Sequence, residues 1–197
     1  MNLFIVLEGA DGTGKTTVGT MLAERIGGKY IRTPGEEYKP IRSRIDKEAH
    51  HDARLLFYLS SVVDASHKIE DLLTQMPIVC DRYIWSSLIP HAAYYNESLE
   101  SLEAQWNPLI KKLTLPTYTV LLKVDEEEQL RRIGGRANGS LTASDQACMR
   151  EAPRKRLREL YDQIALRDGW LKVDTTYQDQ KSVMNEILRN CEVPVLA

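Results

Sequence analysis

The sequence is poor in cysteine: Cys80, Cys148 and Cys191 are odd in number and widely scattered. None sits in a CxxC or Cys/His spacing, so no zinc pattern and no disulfide framework is legible. A reducing, cytoplasmic compartment is the expectation. Long hydrophobic runs are also missing. No stretch approaches the roughly 18 apolar residues that span a bilayer. The run Leu3–Leu7 is too short for a signal h-region, and Glu8 ends it with no basic segment before it. Neither sign of charge dominates: 26 basic against 28 acidic residues leave a net charge of -2, which excludes non-specific coating of nucleic acid. There is no NKxD segment to read guanine. Nor is there an obvious Ser/His/Asp or Cys/His set for covalent catalysis.

What remains is the balance of a folded protein, 43% hydrophobic and 27% charged, over 197 residues, enough for one domain with a real core. Short apolar runs alternate with helical patterns. Strands are predicted at Leu3–Leu7, Lys29–Arg32, Ile78–Asp81, Thr117–Val124 and Trp170–Asp174. Helices are predicted over Lys15–Ile26, His51–Thr74, Glu126–Ile133, up to Arg167, and over Lys181–Cys191. Helical segments between Trp85 and Leu113 carry Pro90 and Pro108 as kinks or boundaries. Gly134–Ser144 has three glycines and no periodicity, and reads as a mobile loop. Five strands separated by helices imply an α/β fold: a parallel sheet covered by helices on both faces, in one domain over residues 1–197.

Gly9-Ala10-Asp11-Gly12-Thr13-Gly14-Lys15-Thr16 fits GxxxxGK[ST] in full and lies between a strand and a helix, the context of a working phosphate loop. Its glycines let backbone N–H groups curl around phosphate oxygens, and the helix N-terminus adds positive potential. Gly9, Asp11, Gly12, Thr13, Gly14, Lys15, Thr16 and Thr17 are the candidate contacts to ATP. Lys15 reaches the β/γ-phosphates and Thr16 coordinates Mg²⁺. Asp81, at the C-terminal end of a buried strand, is the second candidate for Mg²⁺. The alternative for Asp81 is a helix N-cap or a salt bridge with Arg82.

Several segments resemble the thymidylate kinase family. EGADGTGKTT at 8–17 is similar to its EGxDGxGKTT loop, and DRYIWSS at 81–87 to its DRYxxSS segment. Arg32-Thr33-Pro34-Gly35 resembles the REPG turn. The stretch 115–133 resembles the approach to the lid, and Arg158–Tyr161 the RxxY of the helix beyond it. The resemblance implies a P-loop NTPase three-layer sandwich with a mobile lid at about 134–146. It also implies γ-phosphoryl transfer from ATP to a nucleoside monophosphate, and homodimers formed through long helices, which the apolar stripe on 55–73 permits. Carried over by position, Asp11 contacts the acceptor's sugar 3′-hydroxyl, and Arg32 and Arg82 hold its phosphate, as guanidinium forks do well. No variable loop position is basic, so the transition-state charge is expected from the lid. Arg136 is favoured over Arg131 and Arg132, which serve equally as helix-dipole partners. Lys15, Arg136, Arg82 and Asp81 make up the expected catalytic set.

The departures cluster at the acceptor. The family's base-reading arginine, five residues before a glutamate placed at Glu70, falls on Ala65, with Asp64, His67 or Lys68 as possible replacements. Its Ala-Tyr-Gln stretch is here Ile89-Pro90-His91, which puts Pro90 and His91 at the acceptor. The turn glutamate is Thr33, and the lid's Asp-Arg pair is Asp145-Gln146. The acceptor is thus either dTMP or another phosphorylated small molecule. A nucleoside acceptor, with Glu36 or Glu37 as base, and a non-catalytic nucleotide-binding regulator are the alternatives. His50-His51 at a helix junction reads as capping or solvated rather than metal-binding. The basic run Arg150–Arg158 reads as a solvated helix face beside the triphosphate, not a nucleic-acid patch. No membrane partner is expected.

Overall fold

The computed structural model describes residues 2–135 and 149–192. Five parallel strands, β1 (Phe4–Glu8), β2 (Lys29–Arg32), β3 (Ile78–Asp81), β4 (Tyr118–Lys123) and β5 (Leu171–Asp174), form one sheet in the order β2-β3-β1-β4-β5. β1 is central and buried along its whole length, as an apolar strand covered on both faces must be. Its side chains alternate between two cores. Phe4 and Val6 join one with α3 (His51–Leu72), α4 (Trp85–Tyr95) and α7 (Glu151–Arg167). Ile5 and Leu7 join the other with α1 (Lys15–Arg25) and α8 (Gln180–Asn190). That alternation produces three layers: helices, sheet, helices.

The remaining helices are α2 (Lys39–Glu48), α5 (Leu99–Ile110) and α6 (Glu126–Gly134), with a 3₁₀ turn at Glu36–Tyr38. α2 has no predicted counterpart. It is polar and buries no residue, so its sequence lacks the apolar stripe that marks a helix. Of the two expectations for Pro90 and Pro108, kinks or boundaries, the structure excludes the second, because both prolines lie inside helices, α4 and α5. The chain breaks instead at Asn96, in the left-handed region with φ 54°, and restarts where the Ser98 side chain accepts from Ser101 N. The stripe Leu55, Leu59, Val62, Ile69 and Leu73 is buried within the chain's own core, so it is not a free dimer face. Among the described residues no helix is long and apolar enough to cross a membrane.

Candidate active site

The C-terminal ends of β1, β2 and β3 open onto one cavity of about 590 Å³, within the usual range for a small-molecule site. β1 delivers the glycine loop there. Gly9, Gly12 and Gly14 have φ values of 135°, 86° and 88°, and a Cβ on Gly9 would run into the Leu122 carbonyl. These positions need glycine. Gly14 is the N-cap of α1, so the first amides of that helix face the loop.

Lys15 is buried, and its Nζ donates to the carbonyl oxygens of Gly9 (2.8 Å) and Ala10 (2.6 Å). Burial, and then the nearby Arg82 guanidinium, lower its pKa from 10.5 to about 8. Thr16 Oγ1 donates to Asp81 Oδ2 at 2.7 Å, and Tyr30 OH donates to the same oxygen at 2.9 Å. Asp81 Oδ1 is buried with no hydrogen-bond partner. Gly12, Gly14, Thr16 and Thr17 line the cavity, while Gly9 and Thr13 shape the loop behind it.

Arg82 follows β3 with φ 72°, its N–H held by the Leu7 carbonyl at 3.0 Å. Its guanidinium pairs with Asp11 Oδ1 at 2.5 Å and reaches Ser86 Oγ at 3.3 Å. Burial alone would lower its pKa, but Asp11, Tyr161, Asp81 and Glu8 together carry it above its ordinary value. Glu8, fully buried, accepts from Tyr83 N (3.1 Å), Ser86 N (3.3 Å) and Ser86 Oγ, tying the start of α4 to the loop strand. Its pKa is raised by desolvation. Arg32 and Thr33 line the cavity from the end of β2, where Thr33 Oγ1 donates to the Arg82 carbonyl at 2.9 Å.

Beyond these groups the cavity runs between α2, α3 and α4. Pro90 and His91 line it, and burial lowers the His91 pKa. Ala65 does not line it. It lies in the core, about 15 Å along the helix axis from Leu55. None of Asp64, His67 and Lys68 lines the cavity either, and Lys68 pairs with Asp64 (2.6 Å) and Glu37. The face of α3 that meets the cavity is His51, Arg54, Leu55 and Tyr58, spaced i, i+3, i+4, i+7. Arg54 donates through NH1 to Tyr95 OH (2.9 Å) and through NH2 to the Ala49 carbonyl (3.3 Å), while its Nε is buried and unpartnered. Tyr58 OH donates to Asp46 Oδ1 at 2.7 Å and accepts from Arg42 Nε at 3.2 Å. That helical spacing was the signal available in the sequence for these groups.

Arg136 lies outside the described residues. Arg131 is exposed and pairs with Glu128 at 2.5 Å. Arg132 pairs with Glu128 too, but also donates to the Gly12 carbonyl (3.3 Å) and the Thr175 carbonyl (2.7 Å), clamping the loop to the end of β5. Gln129 Nε2 donates to the Asp11 carbonyl at 2.8 Å. The basic run is only partly a solvated face. Arg154 is buried and reaches Glu126, Arg158 donates to the Val124 carbonyl at 2.7 Å, and Arg150 lines the cavity.

The thymidylate kinase family profile matches residues 7–187. Among curated proteins, the probable thymidylate kinase of Methanococcus aeolicus is 26% identical, over 96% of this chain and 95% of its own length. That of Methanococcus maripaludis strain C6 is 30% identical over 95% and 94%. Among solved structures, thymidylate kinase from Candida albicans superposes with a TM-score of 0.78 at 21% identity, covering 100% of this chain and 95% of its own. Deoxyadenosine kinase from M. mycoides gives 0.69 at 17% identity, covering 96% and 100%. At those identities the structural likeness speaks for the fold, the three-layer arrangement of P-loop nucleotide kinases.

Proposed function

The chain belongs to the thymidylate kinase family and is a nucleoside monophosphate kinase, and from that premise we propose how its own residues divide the work. The donor is ATP, its phosphates cradled by the Gly9–Thr17 loop. The acceptor monophosphate lies between Arg32 and Arg82, with its base in the chamber of α2, α3 and α4. One observation carries this reading: a single cavity joins the phosphate loop to two arginines at strand ends and then to an aromatic, hydrogen-bonding chamber. A phosphate nucleophile is already anionic, so the work left to the protein is in-line positioning and charge stabilisation.

A divalent cation belongs to the reading, and the residues present fit one, because Asp81 keeps a buried oxygen unpartnered beside the Thr16 hydroxyl. Thr16 and Asp81 would hold Mg²⁺, which when bound offsets charge on the phosphates. Arg136 remains the proposed lid charge. Arg54, with its free Nε, replaces Ala65 as the proposed reader of the base edge. A single domain over residues 1–197 with a lid at about 134–146, a cytoplasmic location and a homodimer complete the proposal, the last supported by exposed Ile41 and Leu56 on α2 and α3.

A nucleoside acceptor is less well supported. Glu36 pairs with Lys39 at 2.6 Å and Glu37 with Lys68, and neither lines the cavity where a base for a 5′-hydroxyl must sit. ADP release from ATP and Mg²⁺, measured across the common ribo- and deoxynucleoside monophosphates and free nucleosides, is expected with monophosphates, dTMP among them, and not with nucleosides. Turnover only on a nucleoside would overturn the roles of Arg32 and Arg82. Tight ATP binding with no turnover on any acceptor would favour a regulatory protein.

The depressed Lys15 pKa gives a second test. A bound triphosphate favours the charged amine, so above about pH 8 the neutral Lys15 must take up a proton from solution when ATP binds. ATP affinity is therefore expected to be full below that pH and to fall by up to about tenfold per unit above it. Lys15→Arg, which stays charged, should flatten the profile between about pH 7 and about pH 9.5. A flat wild-type profile would show that Lys15 is charged throughout.

A further inference from the structure

The far rim of the cavity gathers groups to which the proposed transfer gives no chemical step. His51 and Asp52 come from the first turn of α3, and His91 and Glu97 from α4 and the turn after it. His50, at the N-cap of α3, makes no side-chain cap. His91 Nε2 lies 3.1 Å from Glu97 Oε1 and 4.0 Å from Asp52 Oδ1. His51 Nε2 lies 3.4 Å from Asp52 Oδ1 and 4.0 Å from Glu97 Oε1. Two imidazole nitrogens and two carboxylate oxygens thus alternate around one small space, and the Asp52, His91 and Glu97 ligand atoms all lie within 4.8 Å of one another.

We propose that His51, Asp52, His91 and Glu97 form a binding site for one divalent transition-metal ion of the zinc class. A tetrahedral ion with bonds of about 2.1 Å has ligand atoms about 3.4 Å apart. Of the six edges of such a tetrahedron, the four between imidazole and carboxylate are 3.1, 3.4, 4.0 and 4.0 Å, so Asp52, His91 and Glu97 already cluster, and His51 must turn in to complete the four. Two carboxylates balance the ion's charge, while two imidazoles select against Mg²⁺, which prefers an octahedron of oxygens. The site is reachable and anchored at once. Asp52 is two-thirds exposed, whereas the His91 side chain is 4% exposed and fixed in the wall of α4. Tyr95 stacks on His51 at 4.5 Å and lies 5.0 Å from His91, and its OH is held by Arg54, so the ligand rings have supports of their own.

A His91–Glu97 ion pair alone accounts for one helix end. It does not explain why a second histidine and a second carboxylate arrive from a helix some forty residues earlier in the chain. Bound there, the ion would staple the start of α3 to the end of α4, the two helices that wall the acceptor chamber.

The test uses the full chain without nucleotide, titrated with Zn²⁺ by calorimetry, beside Glu97→Gln, His91→Gln and Thr16→Ala. One Zn²⁺ per chain is expected. Affinity should drop at least tenfold in each of the first two variants and stay unchanged in Thr16→Ala, which touches only the proposed Mg²⁺ site. Zn²⁺ at about a hundredfold excess over its Kd should raise Tm by roughly 5–10 °C in the wild type but not in Glu97→Gln. Co²⁺ should give the visible absorption of a tetrahedral ion, lost in the same variant. Glu97 is about one-third exposed, so its variant reports even if His91→Gln fails to fold. No uptake by the wild type, or equal uptake by wild type and Glu97→Gln, overturns the site whatever the enzyme's turnover.

Discussion

Lys15→Met is expected to lower kcat/KM by about 10³-fold while leaving Tm within a few degrees of the wild type or above it. The activity loss follows from the reaction. Charge spreads over the transferring oxygens in a loose transition state, and removing one preorganised donor aimed at such charge costs about 10²–10³ in rate. Lys15 is the loop's own cation, buried and already within reach of the Gly9 and Ala10 carbonyls. Stability follows a different sign. The folded protein lowers the Lys15 pKa from 10.5 to about 8, so the charged amine costs the fold about 3 kcal/mol below pH 8. That cost is relieved as pH rises from 8 towards 10.5 and the amine loses its proton. Methionine removes the cost but leaves two carbonyls without their donor, about 1 kcal/mol each. The two effects nearly cancel. A site that keeps a costly charge for its function is the usual trade between stability and activity. Turnover within tenfold of wild type, or a Tm lower by more than about 10 °C, would remove Lys15 from this role.

The loop proposed to hold the phosphates, and its place on the cavity, were legible because the pattern is local. The glycine pattern, the lysine and the threonine fall within ten residues, and the flanking strand and helix announce themselves by apolar run and period. The acceptor end was not, for a reason that lies in helix geometry. α3 buries one stripe and turns another towards the cavity, and a motif aligned from Glu70 fixes a register without showing which stripe it lands on. Ala65 landed in the core, while Arg54 and Tyr58 lay nearer the start of the helix. Tyr30 on Asp81, Gln129 on Asp11 and Arg132 on Thr175 join residues 51, 118 and 43 positions apart, contacts that no local pattern encodes. Arg154 and Arg158 show the same limit: a basic run reads as a solvated face until the partners Glu126 and the Val124 carbonyl are placed beside it.

Arg82→Ala is expected to lower kcat/KM by about 10²-fold or more, mainly through acceptor KM, and to lower Tm by roughly 10 °C. Arg82 sits at φ 72°, where a side chain other than glycine's is unusual, and the Leu7 carbonyl holds its amide there. Such a conformation points to function. Its guanidinium faces Asp11 at 2.5 Å, with Asp81 and Glu8 close enough to act on it. Both members of the Arg82–Asp11 pair are about one-sixth exposed, so removing the arginine takes a 2.5 Å charge partner from a shielded carboxylate, a change that costs up to about 3–5 kcal/mol. In a chain of this size each kcal/mol is about 2–4 °C in Tm. Asp11→Asn added to Arg82→Ala should therefore recover part of the lost Tm, with a coupling of at least about 1 kcal/mol. It should recover none of the acceptor KM, because the phosphate still lacks its fork. Arg82→Lys separates the same two roles. It keeps the charge that balances Asp11 and should restore much of the stability, yet a point charge cannot grip two phosphate oxygens at once, so kcat/KM should stay depressed. If Arg82→Lys restores turnover and stability together, Arg82 acts through charge alone. If Arg82→Ala leaves acceptor KM unchanged, the arginine serves only to hold Asp11, and the acceptor phosphate is bound elsewhere.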